Sequence, residues 1–398
     1  MPKDNLLTFE FLSLCFITFA AVCNVSVFYN FHLYLQGIGL SGKEAGFLIG
    51  LYSLSAMVLY VTASQFIGLN NAIRCMSAGI LLVVGCGVSY LFAEQFWALV
   101  VVRIINGMGM FLIMASCMVM LVAIIPQKKS GLAFSLYSVA LLLPYSIMPA
   151  VSEVLIPLIH KPTKMYMLTA CLLLPAVFMV MSLRTRVHNR LVDQEKNRKG
   201  FLGRNSERKN LFCKSILAIL LVNGIYFIIF SSLFYLFEGF AVEKGMKNPG
   251  FFFTTQMGVM IAIRLLGGRI FDAISKVALV AIALFITGAG FVLLRVMPNQ
   301  TWLLPIAVLF GLGMGLCVPP LNSLMYLNSS PQFRGYNANM MMLVLHVGSF
   351  TGSFFGSWII DFGGYDQFLT IAAVIAVGAA GFFLVVNPAK GISIGIES

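Results

Sequence analysis

Charge is what this sequence has least of. Charged residues make up 10% of the 398-residue chain, whereas a soluble domain needs roughly 25% to keep its surface in water. Acids are the scarcest, 14 Asp and Glu against 26 Lys and Arg. The four histidines form no H-E-x-x-H pair and no G-x-S-x-G elbow is present, so the sequence carries no outline of a zinc hydrolase or a serine esterase. A G-x-x-x-x-G-K-[ST] loop is also missing, which argues against an ATP-driven pump in this chain. The eight cysteines lie in or beside apolar segments without paired spacing. That argues against a disulfide framework and a zinc site, and they read as small core residues.

What is abundant is apolar surface. Hydrophobic residues reach 60% and mean hydropathy is +0.94, so the solvent for most of this surface is a lipid bilayer. Twelve apolar segments run 9–35, 45–67, 73–92, 96–125, 132–155, 165–183, 215–236, 251–266, 277–294, 302–326, 340–360 and 368–386. Crossing the hydrocarbon layer takes about 20 helical residues, close to the length of each. The runs are continuous, not alternating, which selects helices over a barrel. The first run is far longer than the apolar core of a signal peptide and reads as an uncleaved anchor. The fold class is therefore an all-α membrane protein with twelve transmembrane helices.

The net charge of +12 does not point to nucleic acid, because ten of the 26 basic residues sit between Arg184 and Lys214. This stretch divides the chain into 1–183, a basic linker 184–214, and 215–398. Basic residues between spans concentrate on the cytoplasmic side. A cytoplasmic N-terminus puts Lys3, Arg74, Lys128, Lys129, Arg264, Arg269, Lys276, Arg334, Lys390 and the linker inside. Only Lys43, Lys161, Lys164, Lys244, Lys247 and Arg295 then fall outside. Both termini are expected in the cytoplasm, in the cytoplasmic (inner) membrane of a bacterium.

The two halves repeat. Gly107-Met108-Gly109-Met110 matches Gly311-Leu312-Gly313-Met314, Pro126-Gln127-Lys128-Lys129-Ser130-Gly131 matches Pro331-Gln332-Phe333-Arg334-Gly335, and Asn71-Ala72-Ile73-Arg74 answers Asp272-Ala273-Ile274-Ser275-Lys276. Two six-helix, pseudo-symmetric bundles related in this way form the parallel repeat of a rocking secondary transporter.

With the motifs Gly267-Gly268-Arg269-Ile270-Phe271-Asp272 and Arg103-Ile104-Ile105-Asn106-Gly107, the sequence resembles the major facilitator superfamily along essentially its whole length. The second half, with Pro319-Pro320-Leu321-Asn322, looks most like efflux-type permeases. The resemblance implies an alternating-access transporter of the major facilitator fold. Gly268, Arg269 and Asp272 would gate it on the cytoplasmic side. Gly68 and Asn71 stand in the first-half copy of that loop, with Asn71 where the family has an acid. The family's arginine in R-x-x-x-G is associated with substrate binding or proton coupling, a role that falls here on Arg103. The glycine- and proline-rich motif of drug–proton antiporters is incomplete, since the fifth helix offers Pro144 and Pro149 without the glycines.

Burying an arginine in a membrane costs about 2.5–3.5 kcal/mol on insertion scales. Arg103 therefore either faces a cavity as an anion or proton-coupling site or snorkels to the outer interface. Glu153 is its candidate partner or an interfacial carboxylate, and Glu238 stands at the outer end of the seventh helix. By the resemblance, the first, fourth, seventh and tenth helices line the cavity, which makes Asn24, Tyr29, Asn30, Asn106, Asn223, Tyr226 and Asn322 either substrate contacts or interhelical hydrogen-bonding residues. His32 and His346 are either titrating groups or packing residues. The expected partners are a small organic solute, anionic or zwitterionic, protons or another coupling ion, and the bilayer. Nucleic acid, cofactors and metals are not expected, and the protein is expected to be a monomer, with export favoured over import. The alternatives are a broad-specificity multidrug exporter, a receptor that keeps the transporter fold, and an intramembrane enzyme.

Overall fold

The computed structural model describes residues 7–124, 130–183, 213–266, 274–329 and 334–388. Every regular element among them is a helix, as lipid requires of a chain whose backbone groups must pair within each segment. The first span consists of α1 (Phe9–Ser26), a 3-10 turn (Val27–Asn30) and α2 (Phe31–Gly37). It is followed by α3 (Gly42–Thr62), α4 (Ala72–Ser89), α5 (Phe96–Ile124), α6 (Ser130–Ile159) and α7 (Pro162–Cys171), which opens the span Pro162–Leu183. Beyond the linker come α8 (Lys214–Glu243), α9 (Gly250–Leu266), α10 (Lys276–Val296), α11 (Leu303–Asn328) and α12 (Arg334–Val386).

Ten of these stretches are long and apolar enough to cross a bilayer, and Gly250–Leu266 is a shorter apolar helix. The longest stretch, Met340–Val386, is two spans joined at Gly364 (φ 69°, ψ −178°). With that division the described helices account for the twelve crossings. Backbone of this kind is open essentially only to glycine. Gly364→Ala is expected to destabilise the protein by about 1–3 kcal/mol, read as a lower unfolding temperature of the purified chain.

Polar side chains inside the spans are largely spent on their own helix. Ser26 Oγ donates to the Val22 carbonyl at 2.9 Å, Thr62 to Val58 at 2.7 Å, Thr287 to Ala283 at 2.8 Å and Ser329 to Met325 at 2.6 Å. These bonds return each hydroxyl to the preceding turn and hide it from hydrocarbon. Pro144, Pro149 and Pro157 lie within α6, and Pro319 and Pro320 within α11.

The described residues form two compact units. The first holds residues up to Leu40 and from Leu51 through the sixth span, and the second holds Ser41–Gly50 with the chain from residue 213 onward. The start of α3 thus groups with the second unit. There Gly46 approaches Ser357 Cβ so closely that a Cβ would stand 2.6 Å from it, and one on Gly50 would stand 2.7 Å from Phe350 Cδ2.

The matched glycine pairs do the same job in each unit. In the first, a Cβ on Gly107 would run into the Ser55 hydroxyl and the Tyr52 carbonyl of α3, and one on Gly109 would stand 3.0 Å from the Gly79 carbonyl of α4. In the second, a Cβ on Gly311 would stand 2.7 Å from the Gln256 carbonyl of α9, and one on Gly313 would stand 2.8 Å from the Ala283 carbonyl of α10. Within its own unit, each glycine-bearing helix is therefore wedged against the second and third spans of that half.

The two largest boundary differences from the sequence expectation lie in the second half. The seventh span runs to Glu243 instead of 236, because Phe237, Phe240 and Ala241 keep the helix buried beyond the last aliphatic run. Glu238 is accordingly an interior residue of α8 and not its terminus. The eleventh begins at Arg334, six residues before the apolar run that marks it in the sequence.

Candidate functional site

Gly107 sets the geometry of the first unit's polar site. Its missing side chain lets α5 close on α3, and the Ser55 hydroxyl bonds the Ile104 carbonyl across the gap at 3.1 Å. One turn earlier on α5, this contact brings Arg103 onto Tyr52, with 5.2 Å from the guanidinium carbon to the ring centroid. Phe28 lies 4.8 Å away and Phe31 5.0 Å away, both projected from the 3-10 turn and the start of α2. Tyr90, at the end of α4, also interacts with the guanidinium. The side chain is 1% exposed, so Arg103 sits inside its unit and does not snorkel to an interface.

The enclosure is itself braced. Phe28 stacks on Tyr166 at 4.5 Å and meets Phe31 edge-on at 5.1 Å, while the Tyr166 hydroxyl donates to Asn30 Oδ1 at 3.0 Å. A desolvated cation over an aromatic face gains up to about 2 kcal/mol. Three such faces offset a burial cost of about 2.5–3.5 kcal/mol.

One turn further along α5, Asn106 Nδ2 donates to Asn24 Oδ1 at 3.3 Å, with both residues 1% exposed. Asn24 Nδ2 has no hydrogen-bond partner among the described residues, and neither ring nitrogen of the buried His32 has one. Tyr29 is buried in the 3-10 turn. Glu153 is half-buried on α6, with its Oε2 atom shielded from solvent. The structure thus draws Asn24, Tyr29, Asn30, Arg103 and Asn106 into the interior of one unit. The sequence reading missed the rings, although Phe28 and Phe31 stand three residues apart, a spacing that shares a helix face. Tyr52, Tyr90 and Tyr166 are brought in by tertiary packing and leave no local signal.

In the second unit, Asn223 is buried on α8 and its Nδ2 donates to the Met341 carbonyl at 3.3 Å. Tyr226 stacks on Phe230 at 6.1 Å and interacts electrostatically with Arg264 in the last turn of α9. Glu238 lies near Tyr365 with its Oε2 atom shielded. His346 is on α12. Asn322, on α11, is exposed and does not join this group.

Of the gating candidates, Gly68 and Asn71 meet directly. Asn71 Oδ1 accepts from the Gly68 amide at 2.8 Å, and its Nδ2 donates to the Phe66 carbonyl at 2.7 Å. The Asn71 side chain thus closes the turn before α4. Gly268, Arg269 and Asp272 lie outside the described residues.

The multidrug resistance protein MdtH of Cronobacter sakazakii is 31% identical over 127 residues, which is 31% of this chain and 31% of that protein. MdtH of Yersinia enterocolitica is 30% identical over 136 residues, or 34% and 33% of the two chains. The matched stretch therefore spans about a third of these relatives. Among solved structures, a POT family transporter in complex with a thioalcohol-conjugated peptide superposes with a TM-score of 0.75 at 10% identity, covering 96% of both chains. The human organic anion transporter MFSD10 superposes with a TM-score of 0.65 at 16% identity, covering 96% of this chain and 100% of its own. These likenesses establish the fold. The sequence profile of the Major Facilitator Superfamily matches residues 14–344, and the chain belongs to that family of membrane transporters.

Proposed function

We propose that this transporter exports a small anionic or zwitterionic organic solute by alternating access, driven by protons. The observation that carries the reading is the enclosure of Arg103, a guanidinium buried among aromatic faces one turn from the Asn24–Asn106 pair. A cation and an amide N–H that is not hydrogen-bonded within the described residues suit an acceptor-rich ligand. Glu153, half-buried on α6 of the same unit, is assigned the coupling role through its protonation. Export is supported by relatives named for multidrug resistance, and an anionic solute by a structural neighbour named as an organic anion transporter. The two halves would alternate access with both termini in the cytoplasm of a bacterial inner membrane.

The test is flux in proteoliposomes loaded in turn with carboxylates, amino acids and apolar cations, with and without a pH gradient. Saturable flux of one anionic class that disappears with a protonophore is the expected result. Gradient-independent flux would remove the coupling. Equal transport of unrelated apolar cations would favour the broad multidrug reading, to which the names of the relatives also lend support.

A further inference from the structure

We propose that the corner between the last two spans binds a membrane phospholipid whose head carries a phosphate and a primary ammonium, as in phosphatidylethanolamine. Gly364 turns α12 back on itself, and the corner encloses a groove of about 250 Å³ lined by Trp358, Ile359 and Phe362 before the turn and Gln367 and Ile371 after it. Four of the five lining residues are apolar. Trp358 and Phe362 form an edge-to-face pair at 4.9 Å and remain 44% and 67% exposed, so the groove opens outward. Around a membrane protein that outward medium is lipid, and an apolar groove facing it takes an acyl chain in preference to water.

The charged groups beside Phe362 would select the head. Lys43 Nζ lies over the Phe362 ring, 4.5 Å from its centroid. Asp361, one residue before Phe362, packs against Gly42, one residue before Lys43. Both side chains are exposed, and neither has an ion-pair partner within 4.0 Å among the described residues. The neighbouring charges are engaged. Glu44 accepts from the Ser41 amide at 2.9 Å and its hydroxyl at 2.7 Å, and Asp366 pairs with Lys244 at 4.0 Å. An adjacent ammonium and carboxylate that do not meet present one site for a phosphate and one for a small hydrogen-bonding cation. A zwitterionic head satisfies both, an anionic head leaves Asp361 facing a like charge, and a trimethylammonium head has no N–H to donate to it. Trp358 and Phe362 are also residue types that settle at the level of lipid head groups.

The experiment uses the full chain in nanodiscs with Trp97 and Trp302 replaced by Phe, so that Trp358 is the single tryptophan. Quenching of its fluorescence is titrated with phospholipids brominated on the acyl chain. Phosphatidylethanolamine is expected to quench at a mole fraction at least about tenfold lower than phosphatidylcholine or phosphatidylglycerol, a difference of about 1.4 kcal/mol. Lys43→Gln and Asp361→Asn should each abolish the preference while leaving the weaker quenching intact, and soluble glycerophosphoethanolamine should not compete. Equal quenching by the three lipids, a preference for phosphatidylglycerol indifferent to Asp361→Asn, or wild-type preference in both variants would overturn the proposal. The two variants lie on different helices, so the assignment stays decidable if one fails to fold.

Discussion

Arg103→Ala is expected to reduce transport at least about 100-fold while the protein still folds, and Arg103→Lys is expected to rescue little of it. Removing the guanidinium takes away a charge whose burial costs about 2.5–3.5 kcal/mol, together with the ring contacts that offset it, so these two losses partly cancel. What disappears is a fixed cation where the proposed solute must be held. A loss of about 2.7 kcal/mol of differential binding corresponds to a hundredfold in rate. Lysine keeps the charge but not the plane. Phe28, Phe31 and Tyr52 lie within 4.8–5.2 Å of a flat, weakly hydrated group, and a compact, strongly hydrated ammonium is a poor match for such an enclosure. Flux at fixed protein amount, with the melting temperature as control, decides the matter. Near-wild-type flux in the alanine variant would make the arginine a packing element.

Gly107→Val and Gly311→Val are expected to abolish accumulation of folded protein, each by the same mechanism in its own unit. At both positions the atoms in the way include backbone carbonyls, of Tyr52 in one case and Gln256 in the other, which cannot swing aside as a side chain would. Overpacking a core typically costs about 1–3 kcal/mol and occasionally more. Here a whole helix must withdraw from its neighbour, so a cost at the upper end of that range, about 3 kcal/mol or more, is expected. At Gly85, Gly258 and Gly378, by contrast, a Cβ would meet no atom within 4 Å. Substituting these three by alanine should leave the elution profile and melting temperature unchanged. If all five variants behaved alike, steric contact would not be what these glycines provide.

How much of this is legible in the sequence varies with the physics. The twelve spans are legible because lipid imposes one rule on every crossing. Their ends are less so, since the aromatic extension of α8 past residue 236 is a matter of tertiary burial, which moves Glu238 inward. The glycine pairs are visible as a repeat, but their shared role emerges only when the carbonyls they face are known. Arg103 is singled out by its cost in lipid and by its motif, whereas its enclosure adds the rings of Tyr52 and Tyr90 to those of Phe28 and Phe31, and no local period connects the two sets. Lys43 and Arg264 enter the sequence reading only as indicators of topology. One stands over Phe362 and the other interacts with Tyr226, contacts that a count of charges by side of the membrane does not contain.

The four residues Val27–Asn30 have one more consequence. A 3-10 turn advances about 2.0 Å and 120° per residue, an α-helix about 1.5 Å and 100°. Rewinding this stretch as α-helix would draw α2 toward α1 by about 2 Å and rotate it by about 80°. Phe31 and His32, the first two residues of α2, would be carried round with it, and Phe31 would leave the face of the guanidinium. The pitch of this four-residue thread therefore sets where Phe31 stands against Arg103.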